Sequence, residues 1–259
     1  MKKYIKLWWI YTLRATQVAF TSRLGVVIFS IGKLLRFALF ICFLLLIIAK
    51  TKTLAGYTIW QVLFFYATFN FIDTTAQFFL RDVYRFRGHV VSGFFDTYLL
   101  KPMSPLFKAL FGGSDVLDLL MLFVSFGFII VAMVQFPVSL WGTVLYILLV
   151  LNALVIALAF HILVISFGIL TTEVDNMLWM YRDLTQMGRV PVDIYRQPIQ
   201  WAITFVIPVG IMMTFPPKAL FGLLSLQAVA ISFVFGILFL FVTYRFWQYA
   251  LRTYSSASS

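Results

Sequence analysis

The sequence predicts an all-α membrane protein with six transmembrane helices, on three observations. Of the 259 residues, 63% are hydrophobic and only 11% charged, against about 25% charged in ordinary soluble domains. Six apolar stretches, at 26–49, 57–79, 106–136, 140–170, 198–213 and 220–244, reach or approach the roughly 20 residues that a helix rising about 1.5 Å per residue needs to cross a hydrocarbon layer about 30 Å thick. Runs such as 37–48 are continuously apolar, whereas membrane strands alternate over about ten residues, so helices are the spanning element. No linker or composition break divides the chain, and 1–259 is read as a single domain.

Residues 1–23 are too charged to span. At helical spacing Lys3, Lys6, Arg14 and Gln17 fall on one side, with Ile5, Trp8, Trp9 and Phe20 largely elsewhere. This predicts an interfacial helix with indole rings at headgroup level and cations toward anionic lipid. Ile10 intrudes on the polar side, and an irregular charged tail is the alternative. The start MKKYIKLWW resembles a signal n-region, but Arg14 interrupts the next run and no small-residue cleavage site follows, so no cleavage is expected. The first span holds the single cysteine, Cys42, read as a packing residue, and no internal disulfide is possible.

In the second span, Asn70, Asp73, Thr74 and Gln77 recur at i, i+3, i+4 and i+7 and share one face, which cannot point at lipid. Asp73 lies about 9 Å inside the end of its span and Lys33 about 10 Å inside the first. An intramembrane charge needs a partner, and Lys33 or Arg36 would supply it. A structural ion pair is preferred to a substrate-lining role. Residues 81–105 follow as a polar, aromatic connection, with 171–197 as its counterpart on the same side. Asp115 and Asp118, after Gly112, Gly113 and Ser114, suit the start of a helix, and the glycines mark a bend before the membrane part of span three. Asn152 and His161 in span four are expected to form interhelical hydrogen bonds. Pro208 breaks span five and Pro216-Pro217 end it, with Thr204 placed to satisfy the carbonyl that Pro208 frees.

Charge position sets the orientation. Seventeen of the 20 Lys and Arg, among them Arg182, Arg189 and Arg196, fall on one side of the six spans, leaving Lys50, Lys52 and Lys218 on the other. Both termini are therefore expected in the cytoplasm, in the cell membrane. The net charge of +11 is read as topology and not as nucleic-acid binding. Two histidines, His89 and His161, cannot build a metal set. No phosphate loop is present: Gly32-Lys33 is followed by Leu34. Ser114 lacks the glycine two residues on that a membrane serine protease would carry, Val116 standing there. Glu173 is the only glutamate. No enzyme is expected.

Two segments carry a resemblance. RDVYRFRGHVVSGFFDTYLLKPMSPLF at 81–107 contains Gly93, Asp96, Leu99, Leu100, Lys101 and Pro102; PVDIYRQPIQWAITFVIPVGIMMTFPP at 191–217 contains Pro191, Ile194, Tyr195, Ile207, Pro208, Phe215 and Pro216. Both resemble permease subunits of ATP-binding-cassette (ABC) transporters of the type-2 exporter class. The resemblance implies that two permease subunits, identical or homologous, pair with two copies of an ATPase subunit to drive export. ATP and Mg would then bind the partner, with no cofactor in this chain. It implies a cytoplasmic coupling segment at 81–105, a coupling helix that docks on the ATPase through Arg81, Arg85, Arg87, Gly93, Asp96, Leu99, Lys101 and Pro102. It also implies a re-entrant outer gate at 208–219. Phe205, Pro208, Met212, Phe215 and Pro216 are the candidate gate, with Phe205, Met212, Met213 and Phe215 an adaptable apolar wall. Lys33, Arg36, Asn70, Asp73 and Gln77 are the candidate ion pair or pathway.

Three alternatives stay open. The cations of 81–105 would equally hold that loop at anionic lipid. The gate residues would equally be lipid-facing packing. The whole chain would equally suit a secondary transporter or a membrane scaffold without an ATPase. The aromatic content of 19% favours an amphipathic or hydrophobic cargo. The substrate and the pairing of permeases are not legible.

Overall fold

A computed structural model describes residues 2–171 and 174–255; Glu173 lies outside them. Every regular element among the described residues is helical, apart from an isolated antiparallel bridge between Leu54 and Tyr57. The chain opens with α1 (Lys2–Ala19), a regular helix where an irregular tail was the alternative. Then α2 (Arg23–Thr51) begins where Ser22 Oγ accepts from the Gly25 N–H at 3.3 Å. It ends where Lys52 and Ala55 take positive φ and Gly56 follows at φ 84°. That tight turn returns the chain into α3 (Ile59–Leu80), whose start is fixed by Gln61 Oε1 accepting from the Thr58 N–H at 2.9 Å.

Helix α3 is the centre of the bundle. Residues Val62 to Phe69 are buried without interruption, so it packs on all sides and can carry polar groups that a lipid-facing helix could not. Beyond it lie a 3₁₀ turn (Arg81–Arg85), α4 (Phe86–Val91), α5 (Asp96–Leu99), α6 (Pro105–Phe111) and α7 (Asp118–Met133). The expected third span 106–136 is thus divided. Any Cβ at Gly112 would overlap the Asp82 carboxylate and the Lys108 side chain, so those groups fit only against a glycine. The bend expected at Gly112-Gly113 is there. Next is α8 (Leu140–Thr171), started by Ser139 Oγ accepting from the Gly142 N–H at 2.9 Å.

Within the expected connection 171–197, residues 174–186 are helical and not a loop. Helix α9 (Val174–Gln186) packs on α8 and α4, and the turn Met187–Arg189 that follows it meets α3. Leu178 shares a core with Ile165 and Ile169, the Tyr181 ring lies 5.1 Å from His161, and Gln186 meets Arg36. Farther on, Val192 N–H donates to Thr214, and Asp193 accepts from Tyr57 at the start of α3. The run from 174 to 194 therefore covers the height of α3, about 30 Å at helical rise. The expected fifth span, 198–213, falls across a bent pair of helices. α10 (Ile199–Val206) and α11 (Gly210–Leu220) meet at 83° across Ile207 and Pro208. Finally α12 (Leu226–Thr253) packs along α8, where Asn152 Nδ2 donates to Ser232 O and Oγ, each at 2.9 Å. Asn152 makes its interhelical bond; His161 does not, its Nδ1 lying 2.8 Å from Ala157 O of its own helix.

Three helices, α2, α8 and α12, are individually long and apolar enough to cross a membrane, and the α10–α11 pair is a fourth if taken as one span. The molecule is a membrane-embedded helical bundle. Its basal end is formed by α1, residues 81–117 and the last turns of α12; its distal end by residues 52–58, 134–139 and 193–225. At the basal end α1 is pinned crosswise, with Trp8 Nε1 donating to Ser114 Oγ at 2.9 Å and Lys3 Nζ to Pro102 O at 2.6 Å. Ile5, Trp9 and Val18 stay exposed on its other side. Cys42 is exposed on α2 and is not a core residue.

Candidate functional site

Three features gather the candidate residues. The first is a small, partly open polar cavity of about 80 Å³ between α2, α3, the first turn of α7 and α9. Lys33, Arg36, Asn70, Asp73 and Gln77 all line it, as the shared face of α3 predicts. Their pairing differs from expectation. Lys33 bonds to Asp118, not Asp73; Arg36 Nη2 donates to Gln186 Oε1 at 3.1 Å; Gln77 Nε2 donates to Asp73 Oδ2 at 2.7 Å. Asn70 turns back to Tyr66 O at 2.7 Å. The split of the third span explains the exchange. With the helix restarting at Asp118, that carboxylate faces α2 from α7's first turn, so Asp118 is an ion-pair member and not only a helix-start residue.

Sequence reasoning missed Arg182, Gln186 and Arg189, which line the same cavity. They recur at i, i+4 and i+7, one helical face, within a segment whose polarity had it read as a loop. Their guanidiniums rest on aromatic rings. Arg182 lies 5.2 Å from the Trp179 ring centre and 5.9 Å from Tyr84; Arg189 lies 5.3 Å from Phe40.

The second feature is the segment 81–105 at the basal end. Gly93, at φ 70°, turns the chain between α4 and α5, and the Phe95 N–H returns to His89 O at 2.8 Å. Phe86, Phe95 and Tyr98 are fully buried beneath, with Trp247 and Ala250 of α12 in the same core. Tyr254 Oη donates to Asp96 Oδ1 at 2.9 Å, so α12's C-terminal end holds the segment in place. Two candidate residues serve the interior. Arg81 pairs with Asp115 at 3.4 Å, and Asp96 takes the Tyr254 hydrogen bond. Facing outward are Arg85, Arg87, Lys101 and Pro102, with Val91, Phe94, Leu99 and Leu100, the last 86% exposed. His89 Nδ1 lies 2.8 Å from Tyr98 Oη. Burial pushes its imidazole below its usual 6.5, helped by Lys108 and Arg85 and opposed by Asp82.

The third feature is the bent pair. Pro208, Met212, Met213, Phe215 and Pro216 are buried against α3 and α8, but Phe205 is exposed beside Trp201, 6.1 Å away. Of the five candidate gate residues, Phe205 thus stands apart from the buried four. Thr204 Oγ1 donates to Gln200 O at 2.6 Å, relieving the turn before the one that Pro208 interrupts. Lys218 Nζ lies 2.7 Å from Asp193 Oδ1, and Gln200 Nε2 donates to the same oxygen. Arg196 and the rest of this segment thus stand at the distal end.

No group of His, Cys, Asp and Glu among the described residues could hold a metal ion. The family model described as ABC-2 family transporter protein matches residues 34–258. Neither a curated protein nor a solved structure matches the chain.

Proposed function

The chain belongs to the ABC-2 family of transporter proteins, and from that premise we propose that it is the permease subunit of an ATP-driven exporter. ATP hydrolysis belongs to a separate subunit, present in two copies, and a second permease, identical or homologous, completes the pathway. Six crossings serve this reading: α2, α3, α7, α8, the run 174–194 and α12, with α10 and α11 re-entering from the outer face. On this reading their alternation leaves residues 2 and 255 both at the basal end. Lys50, Lys52, Arg196 and Lys218 then face outward, while the basal segments keep most of the remaining cations, which sets that end in the cytoplasm.

The observation that carries the reading is the segment 81–105. Its inner face is anchored in a packed core, while Val91, Phe94, Leu99 and Leu100 stay exposed beside Arg85 and Lys101. An apolar patch with a basic rim at the aqueous end of a membrane protein suits a protein partner better than lipid. Docking there would pass motion to α3 through Arg81 and to α12 through Asp96. Gentle detergent extraction of the tagged chain from its native membrane, with identification of bound proteins and a vanadate-sensitive ATPase assay, tests this. Recovery of an ATP-binding subunit with activity supports the permease; recovery of the chain alone moves the reading to a secondary carrier or scaffold.

A further inference from the structure

The polar cavity carries more positive than negative charge. Lys33, Arg36, Arg182 and Arg189 face only Asp73 and Asp118. One cation of the four, Lys33, is matched with a carboxylate. Among the described residues the three arginines form no ion pair; they are held by Gln186 and by the faces of Tyr84, Trp179 and Phe40. Ring faces orient a guanidinium yet occupy none of the N–H donors at its edge. Uncompensated charge at membrane depth is costly and marks a pathway or a bound counter-charge. A phosphate or carboxylate group would satisfy those donors in the forked geometry that guanidinium favours. Leu35 and Leu39, on α2 beside the cavity-lining Arg36, are exposed, an apolar helix face on which an acyl or other apolar tail would lie next to the charged pocket.

We infer that this cavity binds the anionic head group, phosphate or carboxylate, of an amphiphile, and that Arg182 and Arg189 are its chief ligands. The inference rests on the permease reading for its role in transport, but binding is measurable without the ATPase. The full chain, purified in maltoside micelles, would be titrated calorimetrically with dodecyl phosphate, inorganic phosphate and dodecyltrimethylammonium. Dodecyl phosphate is expected to bind, with inorganic phosphate and the cationic surfactant each at least about tenfold weaker. Arg182→Gln with Arg189→Gln should weaken dodecyl phosphate about tenfold or more, whereas Arg252→Gln, on the exposed last turn of α12, should not change it. Asp73→Asn removes a repelling charge and should tighten binding, a direction that misfolding cannot imitate. Equal binding of the cationic surfactant, equal binding of inorganic phosphate, an unaffected double variant, or weaker binding in Asp73→Asn would each overturn the inference. Failure to recover an ATPase from the native membrane would count against the permease reading and leave this binding result standing.

Discussion

At the scale of single residues, the pair of Lys33 and Asp118 decides how charge is kept inside the bundle. Asp118 is 1% exposed and its Oδ2 lacks a hydrogen-bond partner, while Lys33 remains a quarter exposed. Removing the lysine leaves a buried carboxylate uncompensated, a loss on the order of 3–5 kcal/mol for fully buried pairs and less here because of that exposure. Lys33→Met should therefore lower the melting temperature in detergent more than Lys33→Met combined with Asp118→Leu; an equal or larger loss in the double variant would remove the pair's role. Gly236 makes a second residue-scale test, because a Cβ there would overlap the Asn152 amide that bonds to Ser232. Gly236→Ala should cost about 1–3 kcal/mol by forcing that amide aside, read as a lower melting temperature. The polar face of Asp73 was legible because helical spacing is local information. Its neighbours were not: Lys33 and Asp118 are 85 residues apart, and only the break at Gly112 brings the carboxylate round to α2.

Among the elements, the segment 81–105 and α9 teach opposite lessons. The first was legible as a unit, since a glycine turn flanked by aromatic and basic residues has a local signature. The inward turn of Arg81 and Asp96 depended on partners far along the chain. Helix α9 was misread because average polarity outweighed period, although Arg182, Gln186 and Arg189 stand on one face. The pH response of α4 and α5 follows from His89. Its folded pKa lies below 6.5, so the unfolded segment binds more protons as the pH falls below that value. Its stability is thus fullest above about pH 6.5 and declines as pH drops through the depressed value. Hydrogen exchange of 86–99, corrected for intrinsic rate, should show less protection at about pH 5.5 than at about pH 7.5. His89→Gln should abolish that difference, and an unchanged difference would assign it elsewhere. Truncating the buried anchor, Phe95→Ala, should loosen the same segment by about 3–5 kcal/mol, measured as faster exchange there.

For the whole molecule, composition made the helical membrane bundle legible, and the paths of its spans less so. Apolar runs report burial in lipid or in protein alike, so α2, α3, α8 and α12 all stood out as stretches, while α9, facing a polar cavity, did not. The 83° bend of the α10–α11 pair was not legible in its length or hydrophobicity, because apolar side chains such as Met212 and Met213 are as hydrophobic in a protein core as in lipid. In a Cys42→Ala background, cysteines placed at Arg196 and Ser92 should label from opposite faces of the membrane with an impermeant maleimide. Labelling from the same face would return 171–197 to a loop. The claim at the centre of the account is that the basal segment docks on an ATPase. A photo-crosslinking amino acid at Leu100 in living cells tests that contact itself, with Val138, in the distal turn, as the control position. Position 100 should give a covalent adduct with an ATP-binding subunit and position 138 none; no protein adduct at 100, or the same adduct from both, would contradict docking at the basal segment.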